Sequence, residues 1–493
     1  MTAVPQAEGA AGAVLRNRRF LALWIAQLVT QVGSNMVLFG LTVQVFTLTG
    51  RSTSVSLLIL SFLVPAVIFG AIAGVYTDRN DRRLILVITN VVRGGLFLVL
   101  LLVQNDLAWI YLMTVLISTL TTFFGPAEAA MIPVIVSRRQ LLAANSLYLL
   151  TLQASFFLGF ALIGPLVTNV AGQSVLLVIV AGSYFIGAAL CWLLPSYNPR
   201  IGGPRPVEAL EEAGNAVFTT LRELVDGLRY IVTNRPIFWP LTYLALTASL
   251  IGVLGVLGPG FATQVLGLSE RDFVVVVLPL GLGLVMGILV LNVYGRHFSR
   301  RRGIEAGLIA LGLTLLALSL AQPLTARFSL GPLISLLSVV IVVAFAAGVA
   351  YSFVAIPAQT QLQEELPENV RGRVFGVLNM LVSIASFLPI IAVGPIADAV
   401  GTSVVVQGAA VVTLLVAVGS ILRAHPSKDA RASEGVLVDA MDPVSLSGRS
   451  LTTPTQLKYE EGEVADPIAD AVATSVVPGV PGPASGADTQ AAD

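Results

Sequence analysis

The chain reads as an all-α membrane protein, with twelve transmembrane helices in two pseudo-symmetric six-helix bundles. Composition, run length and arginine placement predict this. The chain is 56% hydrophobic and 11% charged, against roughly 25% charged in an average soluble domain. A bilayer core takes about 20 apolar residues per crossing helix. Twelve such runs follow in order at 20–48, 54–76, 84–103, 107–136, 145–170, 174–194, 237–266, 273–294, 304–321, 330–357, 374–397 and 403–422. Two-residue alternation is absent, which excludes a barrel, and helices satisfy their own backbone groups as lipid demands. The only lysines, Lys428 and Lys458, stand in the tail. Of 24 arginines before the tail, 20 fall on one side of this threading, and Arg51, Arg271 and Arg327 fall on the other. The excess marks the cytoplasmic side. The expected location is the cytoplasmic (inner) membrane, multi-pass, with both termini inside. The first run is too long for a secretory signal and is expected to be retained.

Five regions follow. Residues 1–19 form a cytoplasmic N-terminal segment, 20–194 the first bundle and 195–236 a cytoplasmic connector. Residues 237–422 form the second bundle, and 423–493 a disordered acidic cytoplasmic tail. Val217, Leu221, Leu224, Leu228 and Ile231 recur at helical steps in the connector, which predicts an amphipathic brace. The tail from His425 carries eleven acidic and four basic residues, too polar to offset its chain entropy. The neutral net charge of the chain therefore combines a basic body with an acidic tail. A faint duplication joins the halves. Ile132-Pro133 recurs as Ile356-Pro357, Gly164-Pro165 as Gly394-Pro395, and the Arg82-Arg83 cluster as Arg300-Arg301. Two related six-span halves are a transporter plan, with the ligand bound between them near the midplane.

Four sets of residues are candidates for function. Gln27, Gln31 and Asn35 recur every four residues on span one, and long amides in a spanning helix must face protein or water. Thr114, Ser118 and Thr121 share a face of span four, lining a substrate cavity or bonding to a neighbouring helix. Arg93 and Glu128 are the two charges inside the first six spans. Each lies ten residues from a cytoplasmic arginine cluster, so about 15 Å deep at 1.5 Å per residue. Equal depth predicts a pair, either a structural salt bridge or a proton-coupling carboxylate with its partner. Gly164, Pro165, Gly394 and Pro395 are candidate bending points, because proline removes a helix hydrogen bond. One cysteine, Cys191, excludes an internal disulfide, and two histidines, His297 and His425, exclude a histidine-rich metal site. No cofactor, metal or nucleic-acid site is expected.

Gly74, Asp78, Arg79, Arg82 and Arg83 stand in the stretch GVYTDRNDRR, after span two. This order resembles the loop between helices two and three of the major facilitator superfamily, with Asp81 where that family has glycine. The resemblance implies a cytoplasmic gating role for these five residues. GFALIGP in span five weakly resembles the glycine-proline motif of facilitator antiporters. PAEAAMIPVIVSRRQLLAANSL at 126–147, PAQTQLQEELPENVRGRVFGVLNM from Pro357 and the later VGPIAD resemble the branch containing macrolide and enterobactin exporters. The resemblance covers about residues 16–423. It implies alternating access and proton-coupled efflux of a small amphipathic molecule, a drug-like compound or siderophore. In that branch Asn35 and Asn90 are often aspartates, which puts coupling through those positions in doubt. The expected partners are the substrate, protons and membrane lipids, with the chain acting as a monomer. The alternatives are an uncoupled or lipid/solute transporter of the same fold and, further off, a polytopic membrane enzyme. No clustered acid, base or metal set supports an enzyme, and no phosphate-binding G-x-x-x-x-G-K-[ST] loop supports an ATP-driven pump.

Overall fold

The computed structural model describes residues 12–196, 235–295, 299–320, 336–365 and 387–422. The first half holds α1 (Arg18–Thr49), α2 (Ser52–Arg79), α3 (Arg82–Val103) and α4 (Leu107–Ile135). Next, α5 runs as an α-helix over Leu141–Phe156, a π-helix over Phe157–Ile163 and an α-helix over Gly164–Val170, and α6 spans Gly172–Trp192. The second half holds α7 (Arg235–Gln264), α8 (Val274–Tyr294), α9 (Arg300–Ser319), α10 (Leu336–Glu365), α11 (Phe387–Val400) and α12 (Thr402–Leu422). Among the described residues, eleven helices are long and apolar enough to cross a membrane. The expected eleventh crossing appears as the shorter apolar helix Phe387–Val400. Its expected first half lies outside the described residues, as do the connector's amphipathic segment and the tail.

The helix starts follow from local chemistry. Asn17 accepts hydrogen bonds from the Arg19 and Phe20 N–H groups, and its amide donates to the Ile135 carbonyl at 2.7 Å. Asp81 caps α3 through the Arg83 N–H at 2.9 Å, and Asp106 caps α4 through Ala108 and Trp109. These caps satisfy donors that an α-helix leaves without a partner in its first turn. Gly50 ends α1 at φ 63°, a left-handed conformation that costs glycine little. Helix α2 differs, because Arg51 occupies its cap position and supplies no side-chain hydrogen bond.

Packing repeats between the halves. Helix pairs α2–α4, α3–α4 and α3–α6 recur as α8–α10, α9–α10 and α9–α12. Glycine allows the closest approach, as membrane helices require without a hydrophobic drive between them. Gly283 of α8 abuts the Phe345 carbonyl, and Gly348 of α10 abuts the Leu280 carbonyl. Most outward positions are large and apolar, Leu102 and Leu415 among them, and suit contact with lipid.

Candidate functional site

A buried polar cluster lies inside the first half, among α1, α3, α4, α5 and α6. Glu128 of α4 is 1% exposed and Arg93 of α3 is 3% exposed. The expected pair does not form. The Arg93 guanidinium is held by its own helix, donating to the Thr89 carbonyl at 3.2 Å and to Asn90 Oδ1 at 2.6 Å. It also reaches Thr121 Oγ1 at 3.3 Å and lies over the rings of Phe124 (4.4 Å) and Tyr184 (4.6 Å). These partners satisfy it without a carboxylate. Glu128 stays within electrostatic range of Arg93 and Tyr148. Neither of its oxygens is in a well-formed hydrogen bond, and the Tyr148 side chain is close enough to donate to it. Around it, Gln27 donates to the Tyr148 carbonyl at 3.3 Å and Asn90 donates to Cys191 Sγ at 3.8 Å.

The other candidates divide. Gln27 is buried, whereas Gln31 and Asn35 are half-buried, with the Asn35 amide turned back to the Gln31 carbonyl at 2.8 Å. Thr114 donates to the Ile110 carbonyl and Ser118 to the Phe62 carbonyl of α2. Ser118 thus ties α4 to α2 and Thr114 bonds back within α4, while Thr121 is exposed and turned to Arg93. In α5, Gly159 presses on the Val32 carbonyl and Asn35 Cβ, and Gly164 on Met36. The Gly164 N–H bonds the Gly159 carbonyl five residues back, so the glycine-proline stretch is a π-bulge against α1. Such bulges often mark moving or functional positions.

At the arginine-rich end, Asp78 is exposed and has no hydrogen bond or ion pair among the described residues. Arg79 is half-buried. Arg82 donates to the Ala130 carbonyl at 2.7 Å, and Arg83 lies 4.5 Å over the Trp192 ring. A Cβ on Gly74 would meet open space. Sequence reasoning treated Asp81 only as a departure, yet it caps α3 and accepts a short hydrogen bond from Ser196. Its place three residues before the apolar run that starts at Leu84 was the available signal.

Among the described residues, contacts between the halves gather at the opposite end. Phe39 stacks on Phe273 at 5.0 Å, and Phe160 meets both rings. Ala262 and Val277 close this plug. Phe157 lies on Gly281, Thr47 donates to Glu270 at 3.0 Å, and Ser56 donates to the Ile390 carbonyl at 2.8 Å. Gly394 abuts Ser56 and the Ser52 carbonyl, and Pro395 is exposed beside it.

Comparison with known proteins fits this architecture. The sequence pattern of the Major Facilitator Superfamily matches residues 23–390. The chain belongs to that superfamily. It is therefore a transport protein of many membrane-spanning helices rather than an enzyme. It is 26% identical to the multidrug efflux pump Tap of Mycolicibacterium fortuitum, over 77% of this chain and 90% of that protein. It is 25% identical to the MFS-type transporter YfiS of Bacillus subtilis, over 79% of this chain and 89% of the relative. Macrolide efflux protein A of Streptococcus pyogenes is 20% identical, over 78% and 91% of the two chains. Among solved structures, the nucleoside transporter NupG shares the fold at a TM-score of 0.59 and 15% identity, covering 82% of this chain and 98% of that one.

Proposed function

We propose that this transporter exports a small amphipathic molecule, a drug-like compound or siderophore, from the cytoplasm in exchange for protons. The observation that carries this reading is Glu128, a carboxylate buried without an ion pair or a well-formed hydrogen bond among the described residues. A charged, unpaired carboxylate at that burial costs several kcal/mol, so a proton or a cationic group is its natural partner. Asn35 and Asn90 are uncharged, which leaves Glu128 as the carboxylate of the first-half interior. The efflux names of Tap and macrolide efflux protein A support the direction and the substrate class.

In this reading the bundles 20–194 and 237–422 rock about the ligand within one monomer. The arginine distribution supports termini in the cytoplasm and the aromatic plug outside. The present state is then closed outside. Gln27, Gln31, Asn35 and Thr121 line the path beside Glu128. Gly74, Asp78, Arg79, Arg82 and Arg83 act at the cytoplasmic gate. Gly164, Pro165, Gly394 and Pro395 sit where helices must slide or bend. The purified full chain, reconstituted in vesicles, tests this with dye-like cations, macrolides and catecholate siderophores, with and without a proton gradient. Gradient-dependent accumulation of at least one compound is expected. Movement of one of them at equal rate and extent in both conditions would contradict proton coupling.

A further inference from the structure

We infer that Asp398 is the outer latch of the transport cycle, a carboxylate on α11 that caps the start of α2 in the opposite half. Three hydrogen bonds make the contact. The Ser52 N–H donates to Asp398 Oδ1 at 2.8 Å, the Thr53 N–H to Oδ2 at 2.9 Å, and the Thr53 hydroxyl to Oδ2 at 2.5 Å. Helix α2 has no cap of its own, since Arg51 occupies that position. Its exposed first-turn donors and positive dipole end are thus satisfied from 346 residues away. Gly394 brings α11 close enough, one turn back, by fitting against the Ser52 carbonyl. The cap therefore exists only while the outer ends of the halves touch.

The spacing gives the latch a counterpart. Gly394 and Asp398 are separated as Gly74 and Asp78 are. In this structure the outer pair is seated on the other half, while Gly74 faces open space and Asp78 is exposed without a partner among the described residues. Charge-assisted hydrogen bonds are the strong ones, and a cap with its dipole term shifts an equilibrium by about tenfold. Asp398 thus biases the resting transporter toward the outward-closed state. The inference rests on alternating access by the two halves, and on neither a particular substrate nor a proton at Glu128.

The test reads conformation without substrate. Ala262 lies fully buried in the outer plug, and Cys191 is the single native cysteine. Full-length C191S/A262C protein in vesicles is treated from outside with a membrane-impermeant maleimide. Adding Asp398→Ala is expected to raise the labelling rate about tenfold, with Asp398→Asn in between because its amide oxygen still accepts. Unchanged labelling with a lowered melting temperature would make Asp398 a purely structural cap and overturn the proposal. Should Asp398→Ala fail to reach the membrane, Thr53→Val removes one hydroxyl donor. A few-fold rise then supports the latch, and parental labelling overturns it. Loss of proton coupling in the vesicle assay would leave this result untouched, so the two readings fail separately.

Discussion

Removing the Arg93 guanidinium is expected to destabilise the first half, and neutralising Glu128 as well should restore only part of the loss. Arg93 makes three hydrogen bonds and two ring contacts that do not involve Glu128. Hydrogen bonds to a charged group contribute about 1.5–3 kcal/mol each and do not add fully. Arg93→Ala should therefore cost about 3–5 kcal/mol, including the charge left on Glu128. Glu128→Gln alone should change stability by about 1 kcal/mol or less, since neither oxygen is in a well-formed hydrogen bond. The double variant should recover the share due to the stranded carboxylate and remain about 2 kcal/mol or more below the parent. Thermal unfolding of the four purified proteins in one detergent measures the cycle. Full recovery in the double variant would mean that a direct ion pair dominates, which would refute the geometry above.

Asp78→Asn should leave the melting temperature unchanged, because Asp78 has no partner among the described residues, while slowing vesicle transport. Transport at the parental rate would remove Asp78 from the gate. Asp81→Ala should lower stability by about 1 kcal/mol through the lost α3 cap, and Asp81→Ser should restore most of it in the same melting assay. Ser118→Ala should lower stability by about 1 kcal/mol through the lost bond to the Phe62 carbonyl and leave substrate affinity intact. A changed substrate preference would instead put Ser118 in the cavity. Gly159→Leu should abolish transport, because its Cβ position meets the Val32 carbonyl, and parental flux would show that α5 has room to move.

Most of the fold could be read from hydropathy, because a spanning helix advertises its length. Span one was expected at 20–48 and α1 is Arg18–Thr49; span four was expected at 107–136 and α4 is Leu107–Ile135. The π-bulge at Phe157–Ile163 was not legible, since the sequence showed a bendable glycine-proline stretch without its backbone register. Depth along a helix placed Arg93 and Glu128 at one level. It said nothing of rotation, and Asn90, Thr89 and Thr121 hold the guanidinium first. Thr114 and Ser118 share a face as expected, and that face is held by backbone carbonyls. Asp398 was quoted only within a resemblance, because its partner stands 346 residues away and no local pattern announces it.

The central claim is exchange of substrate for protons through Glu128, and substrate-evoked proton movement tests it most directly. Vesicles holding the parent chain, a pH-sensitive dye and an imposed pH gradient receive a transported compound from the side at which it is taken up. The account predicts that substrate collapses the gradient in the parent. In Glu128→Gln vesicles it should leave the gradient intact while isotope-labelled substrate still exchanges downhill. An equal collapse of the gradient in both would contradict it.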